Sequence, residues 1–293
     1  MPLPPQFKRP AILGWRVLIS FVLLLGLAGC SAIGAFNSLI PEGEMVATRD
    51  IVYGTNPRQK LDVYQPKTPS AKPRTVVVFY YGGAWDSGDK SYYLFAAEAL
   101  TSRGFVVVVP DYRIYPEVIF PVYMDDAANA LKWTLNNIGR YGGDANNVFT
   151  MGHSAGGQLA ALVAFDGSYA AKAGVDRNRI RGVVSLAGAL DFLPLTEENL
   201  LKIFPEPVRA TSQPINFVRG DGPPVLLLHG EADTRVGIHN SRNFAARIRE
   251  RGCPGSDANG HAIRAAGHGG VARHVVQRRA DRARAQREVH EQV

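Results

Sequence analysis

The segment Gly152-His153-Ser154-Ala155-Gly156-Gly157 holds the residues best suited to covalent chemistry. It follows a short apolar run, Val148 to Met151, and opens a helical stretch, Gly156 to Phe165. A serine on a sharp turn from a buried strand into a helix needs small neighbours, because the strained backbone leaves little room for side chains beside it. The turn lifts Oγ clear of the sheet. The helix behind it aims amides and a positive dipole end at developing negative charge. The chemistry this arrangement supports is nucleophilic attack by Ser154 on a carbonyl, with the Ala155 amide as one donor to the oxyanion. His153 is adjacent in sequence, but neighbouring side chains diverge on a tight turn, so it reads as a packing residue and not as the base.

Acyl transfer needs more than one oxyanion donor, and the others usually come from the loop after an earlier strand. Tyr81-Gly82-Gly83-Ala84-Trp85 directly follows the apolar run Thr75 to Tyr80, and its glycines let the backbone turn N–H groups toward a substrate. Gly83 and Ala84 are the expected donors. An acid that orients the base belongs after a later strand, in the chain order Ser, Asp or Glu, His. The stretch Val225 to Asp233 (VLLLHGEAD) offers Asp233, with Glu231 as its rival, and Asp191 is a further alternative. His229 reads as a strand-end residue with its own partners, and Asp111 and Asp144 as structural carboxylates at a strand end and a turn.

The elements that position these residues alternate along the chain. Thr75 to Tyr80, Phe105 to Val109, Val148 to Met151, Gly182 to Leu186 and Val225 to Leu228 are continuous apolar runs bounded by Gly, Pro or Asp, as strands buried on both faces should be. Tyr92 to Arg103, Met124 to Ile138, Gly156 to Phe165 and His239 to Arg251 have helical spacing. Alternation of this kind predicts an α/β fold, a mostly parallel central sheet with helices on both faces. Ile51 to Tyr64 reads as an earlier antiparallel pair, and Leu190 to Phe217 as a small cap over an acyl pocket.

Three phrases carry a family resemblance. Tyr81 to Trp85 resembles the HGGxW oxyanion loop of α/β-hydrolases such as kynurenine formamidases, prenylcysteine methylesterases and bacterial feruloyl or acetylxylan esterase-like carboxylesterases, with Tyr81 in the place of a noncatalytic histidine. Asp111-Tyr112-Arg113 with Tyr115-Pro116-Glu117 is similar to the DYRLYPE phrase of the same families, and Tyr141 to Asp144 to their turn before the elbow strand. The resemblance runs from about Val46 to Gly252. It implies the α/β-hydrolase fold and places the acid at Asp233, three residues beyond Gly230. It also implies that Gly267-His268 ends the last strand, making His268 the base, with His261 and His274 in reserve. The implied reaction is ester hydrolysis through an acyl-enzyme on Ser154, with Asp233 holding the His268 tautomer and the Gly83, Ala84 and Ala155 amides on the oxyanion. Small or medium acyl or aromatic esters are the expected substrates, and no metal or organic cofactor is needed. An arylformamidase or amidase, and an inactive envelope lipoprotein of the same fold, are the alternatives.

Composition bounds the rest. Of 293 residues, 46% are hydrophobic and 20% charged, ordinary for one globular domain with short appendages. Much of the arginine behind the net charge of +7 lies in the last forty or so residues, so the charge does not argue for nucleic-acid binding. From Gly252 onward there is no Leu, Phe, Tyr, Trp, Met or Lys, while four of the seven histidines crowd there. A hydrophobic last strand and helix are not expected from that composition, which predicts an uncovered sheet edge and low activity. A shifted reading frame near Arg251 to Pro254 and a genuine basic tail both fit residues 253–293.

At the amino terminus, Lys8, Arg9 and Arg16 flank the apolar run Val17 to Leu27, which ends in Leu27-Ala28-Gly29-Cys30. Those four residues resemble a bacterial lipobox, which implies a signal peptide over 1–29, lipid on Cys30, and a tether over 30–48 leading to a hydrolase domain over 49–252. Ser31 after the cysteine resembles the pattern sorted to an outer membrane facing the periplasm. Lipidation leaves Cys253 as a lone thiol.

Overall fold

The computed structural model describes residues 43–253, residues 37 and 40, and the strand at 263–266. The fold lies within the unit Glu42–Val293. The expected signal peptide, Cys30, His261, His268 and His274 lie outside the described residues.

Eight strands form one sheet in the order β1-β2-β4-β3-β5-β6-β7-β8. β1 (Met45–Val52) and β2 (Lys60–Pro66) pair antiparallel, and β2 pairs antiparallel with β4 (Val106–Pro110). From β4 onward every ladder is parallel, through β3 (Arg74–Tyr80), β5 (Gly143–His153), β6 (Ile180–Leu186), β7 (Val225–Gly230) and β8 (Ile263–Ala266). Parallel strands need long crossovers, and helices supply them. These are α1 (Leu94–Thr101), α2 (Val122–Asn137), α3 (Ala155–Phe165), α4 (Gly167–Lys172), α5 (Glu198–Ile203) and α6 (His239–Glu250). The valine runs of β3 and β4 are buried on both faces, as their unbroken hydrophobicity requires.

α3 is the centre of the core. All eleven of its residues are buried, which its small side chains permit. At Gly156 a Cβ would stand 2.0 Å from the Tyr80 carbonyl oxygen, so only glycine lets the start of α3 lie directly on the end of β3. The helix therefore presents its first turn at the carboxyl ends of the central strands, where ligands of open α/β sheets bind.

The structure departs from the expectations in two places. β1 starts at Met45, inside the stretch read as a tether, because its pairing with Pro66 and Gln65 begins there. The larger correction concerns the edge of β7, which composition left uncovered. Ile263–Ala266 pairs with Leu227–Gly230 in parallel register. A parallel ladder is made by backbone amides and carbonyls, so a short Ile-Arg-Ala-Ala run can form it without Leu or aromatic residues. The chain beyond β8 lies outside the described residues. Among the described residues, no helix is long and apolar enough to cross a membrane.

Candidate active site

Ser154 stands between the last residue of β5 and the first of α3, with φ 53° and ψ −120°. A β-carbon is disfavoured in this region, and a residue held there costs about 1–3 kcal/mol unless its surroundings over-determine it. They do so through its own peptide groups. The Ser154 N–H donates to Leu186 O at 3.0 Å, and its carbonyl accepts from Gly157 N at 2.9 Å and Ala189 N at 3.2 Å. A Cβ at Gly152 would meet Gly156 O at 2.0 Å, so the flanking glycines are steric necessities of the turn.

The loop after β3 is strained in the same way. Gly83, Ala84 and Trp85 have φ of 153°, 48° and 62°. Two successive non-glycine residues in the left-handed region are unusual, and the loop closes on itself to hold them. Gly83 O accepts from Asp86 N at 3.1 Å and Ser87 N at 2.9 Å, and a Cβ on Gly83 would stand 2.1 Å from Ser87 O. This geometry leaves the Gly83, Ala84 and Ala155 amides donating to no described residue. The loop also abuts the elbow. A Cβ on Gly82 would approach the Ser154 Cβ to 3.0 Å. The structure thus brings together the serine and the loop that sequence reading paired with it.

Tyr81, in the place of the usual histidine, is fully buried and donates to Asp111 Oδ1 at 2.7 Å. Its hydroxyl accepts from Arg58 Nη2 at 2.9 Å, and its ring stacks between Tyr93 and Tyr112. Burial pushes the phenol far above its ordinary range, so it remains a donor. Asp111 also accepts from the Lys90 amide at 2.8 Å, and Asp144 accepts from Asn146 N at 2.9 Å. Both carboxylates are structural, as read from the sequence. Tyr93 escaped that reading. Its hydroxyl accepts from Gly82 N at 3.1 Å and lies 3.1 Å from His153 Nδ1, joining the loop to the elbow. Burial lowers the pKa of His153, and the charge of Asp233 opposes the shift.

Asp233 comes after β7. Its Oδ1 accepts from Arg235 N at 2.9 Å and Val236 N at 3.0 Å, which fixes the carboxylate, while Oδ2 makes no hydrogen bond with a described residue. One oxygen is thereby open to a base. The rivals are placed differently. Glu231 is exposed, and Asp191 Oδ2 already accepts from Asn243 Nδ2 at 2.7 Å. His229 is occupied at both nitrogens: Nε2 donates to Val236 O at 2.7 Å, so Nδ1 accepts from the Ser241 hydroxyl at 2.7 Å. Its Nε2 is 3.7 Å from Asp233 Oδ2, longer than a hydrogen bond. β8 ends at Ala266, paired with Gly230, so the chain reaches the carboxyl end of the sheet two residues before His268. Among the described residues, no group of three or more His, Cys, Asp or Glu could hold a metal ion.

Cap residues pack onto the loop. The Trp85 ring meets Phe204 edge-on at 4.8 Å and Phe192 at 5.4 Å, and Phe120 N donates to Ile203 O at 3.1 Å. Cys253 is buried, and its thiol donates to Arg219 O at 2.8 Å.

A mostly parallel eight-stranded sheet, a strained serine between a central strand and a buried helix, and an adjoining loop of open amides define the α/β-hydrolase fold. The family model BD-FAE matches residues 61–248, and the chain belongs to that family. It is 32% identical over 225 residues to esterase LipC of Mycobacterium tuberculosis, covering 70% of this chain and 55% of that protein. It is 28% identical over 268 residues to the probable isoprenylcysteine alpha-carbonyl methylesterase ICMEL1 of Arabidopsis thaliana, covering 82% of this chain and 55% of that protein. The chain spans about half the length of these relatives. Among solved structures, esterase B from Lactobacillus rhamnosis in inhibited form aligns with a TM-score of 0.70 at 20% identity, over 86% of this chain and 85% of that one. Thermogutta terrifontis esterase 2 aligns with a TM-score of 0.61 at 24% identity, over 78% and 84%.

Proposed function

We propose that the chain is a serine carboxylesterase acting on small or medium acyl or aromatic esters. The observation that carries this reading is the strained Ser154 beside three amides that donate to no described residue. Donors fixed in advance around a reacting carbonyl need no reorganisation as charge develops, which is a large part of acyl-transfer catalysis. In the proposed reaction His268 takes the Ser154 proton as Oγ attacks the ester carbonyl, and Asp233 Oδ2 holds the imidazole. The oxyanion sits on the Gly83, Ala84 and Ala155 amides. Collapse expels the alcohol with a proton from the histidine, and water then hydrolyses the acyl-enzyme with the histidine as base again. The LipC and ICMEL1 names, an esterase and a methylesterase, support the ester bond as the target.

The proposal extends to the envelope: cleavage before Cys30 and lipidation of its sulfur would tether the domain to a bacterial membrane, with its substrate the small ester and no nucleic-acid partner. The substrate class is tested by comparing p-nitrophenyl acetate with N-formylkynurenine. Hydrolysis of the ester with a far higher kcat/KM than the formamide is expected; the reverse preference would overturn the esterase reading in favour of an arylformamidase.

A further inference from the structure

The oxyanion donors belong to two separate elements. Ala155 opens α3, whereas Gly83 and Ala84 lie on the loop after β3. A hole assembled from two elements works only if their separation is fixed to a fraction of an ångström. One side chain spans that separation. Gln158, three residues after Ala155 on α3, is fully buried, and its Oε1 accepts from the Trp85 indole Nε1–H at 2.8 Å. Its Nε2 donates to Ser212 O in the cap at 2.7 Å. Trp85 directly succeeds Ala84 and is itself nearly buried, its ring wedged against Phe204 and Phe192.

We infer that Gln158 is a positioning residue for the oxyanion hole, acting through the Trp85 indole to hold Ala84 against Ala155. The inference rests on the esterase reading above. Its physical basis is the backbone strain at Ala84 and Trp85, with φ of 48° and 62°. Left alone, that segment relaxes toward ordinary φ and turns its amides away; a conformation of this kind persists only where the surroundings over-determine it. Three restraints act on it. Trp85 O accepts from Tyr115 N at 2.8 Å, Gly83 O closes the loop, and the indole bond to Gln158 is, among the described residues, the side-chain hydrogen bond that ties it to α3. The amide of Gln158 suits the task because it supplies an acceptor to the loop and a donor to the cap at once, with no charge to bury. Within the otherwise apolar α3 (AGGQLAALVAF), it is the one side chain that can do so.

The test uses Gln158→Met, Trp85→Phe and the double variant, each in the full chain. Four quantities are read: kcat and KM on p-nitrophenyl acetate, the rate of fluorophosphonate labelling, and Tm. Exchange of the Trp85 indole proton, assigned by its loss in Trp85→Phe, gives a readout independent of turnover. Each single variant should lower kcat about 10- to 100-fold, less than the ~10²–10³ of deleting a donor outright, with KM within about threefold. Gln158→Met should also speed indole exchange. Gln158→Met strands the Trp85 indole N–H and Ser212 O, Trp85→Phe strands Gln158 Oε1, and the double variant leaves only Ser212 O without its partner, so Tm should recover in part from Gln158→Met to the double variant while kcat does not. If kcat and labelling instead rise and fall with Tm across the three variants, Gln158 is merely structural and the inference fails. Should Gln158→Met not fold, Trp85→Phe breaks the same bond from the other side, and unchanged kcat there overturns the inference equally. A wild-type chain that neither labels nor hydrolyses would instead bring down the esterase reading and this role with it, whereas an active wild type matched by its variants brings down this role alone.

Discussion

Replacing Ser154 by glycine and by alanine separates chemistry from backbone strain. Both variants remove Oγ, so both should lose about 10⁴-fold or more in kcat/KM on a p-nitrophenyl ester. Their stabilities should differ. At φ 53° and ψ −120° a β-carbon is strained, and alanine keeps that carbon while glycine removes it. The strain released is about 1–3 kcal/mol, and the extra freedom of glycine in the unfolded chain returns about 0.5–1 kcal/mol of it. Taking the middle of each range, Ser154→Gly should be more stable than Ser154→Ala by about 1 kcal/mol, or about 2–4 °C in Tm for a domain of this size. The hydrogen bonds that pin the turn, from Ser154 N to Leu186 O and from Gly157 N to Ser154 O, are made by the backbone and survive both changes. Differential scanning calorimetry of the two variants beside wild type measures the difference. A glycine variant no more stable than the alanine one would refute the claim that the elbow is held under strain.

Three further outcomes are expected. Gly156→Ala places a Cβ 2.0 Å from Tyr80 O, so α3 must withdraw from β3, and kcat/KM should fall about 10²-fold with a stability loss of about 1–3 kcal/mol. Gly139→Ala, where a Cβ meets nothing within 4 Å, serves as the unaffected control. His153 has a pKa lowered by burial, so below about pH 6.5 the unfolded chain binds a proton that the folded one resists. Stability should decline as pH falls through that range, and His153→Gln should flatten the decline in pH-dependent melting; an unchanged slope would show that another group causes it. Cys30→Ser should abolish metabolic labelling with a palmitate analogue, and unchanged labelling would remove the lipid anchor.

Much of the sheet was legible because β3 and β4 are unbroken apolar runs, a pattern that burial on both faces produces, whereas β7 is as apolar in sequence yet leaves Leu226 exposed on one face. β8 was not, because Ile263–Ala266 contributes a ladder through its backbone, and side-chain composition is silent about that. Ser154, Gly83 and Ala84 were visible because strained turns demand glycine and small residues at fixed spacing. Asp233 was found by chain order and by resemblance; what distinguishes it from Glu231, two backbone amides on Oδ1, appears only once the turn after β7 is built. Gln158 and Tyr93 were missed for a different reason. Their partners lie 73 and 60 residues away in sequence, at Trp85 and His153, and no local pattern encodes such distances. A polar residue amid the small apolar side chains of α3 was the one available sign of Gln158.

Ser154 as an activated nucleophile is tested by fluorophosphonate labelling with subsequent peptide mass mapping. A stoichiometric phosphonyl adduct is expected on Ser154 of the wild-type chain, with none in Ser154→Ala and much slower labelling in His268→Ala than in His261→Ala or His274→Ala. An unlabelled wild-type chain, or an adduct on any residue other than Ser154, would contradict it.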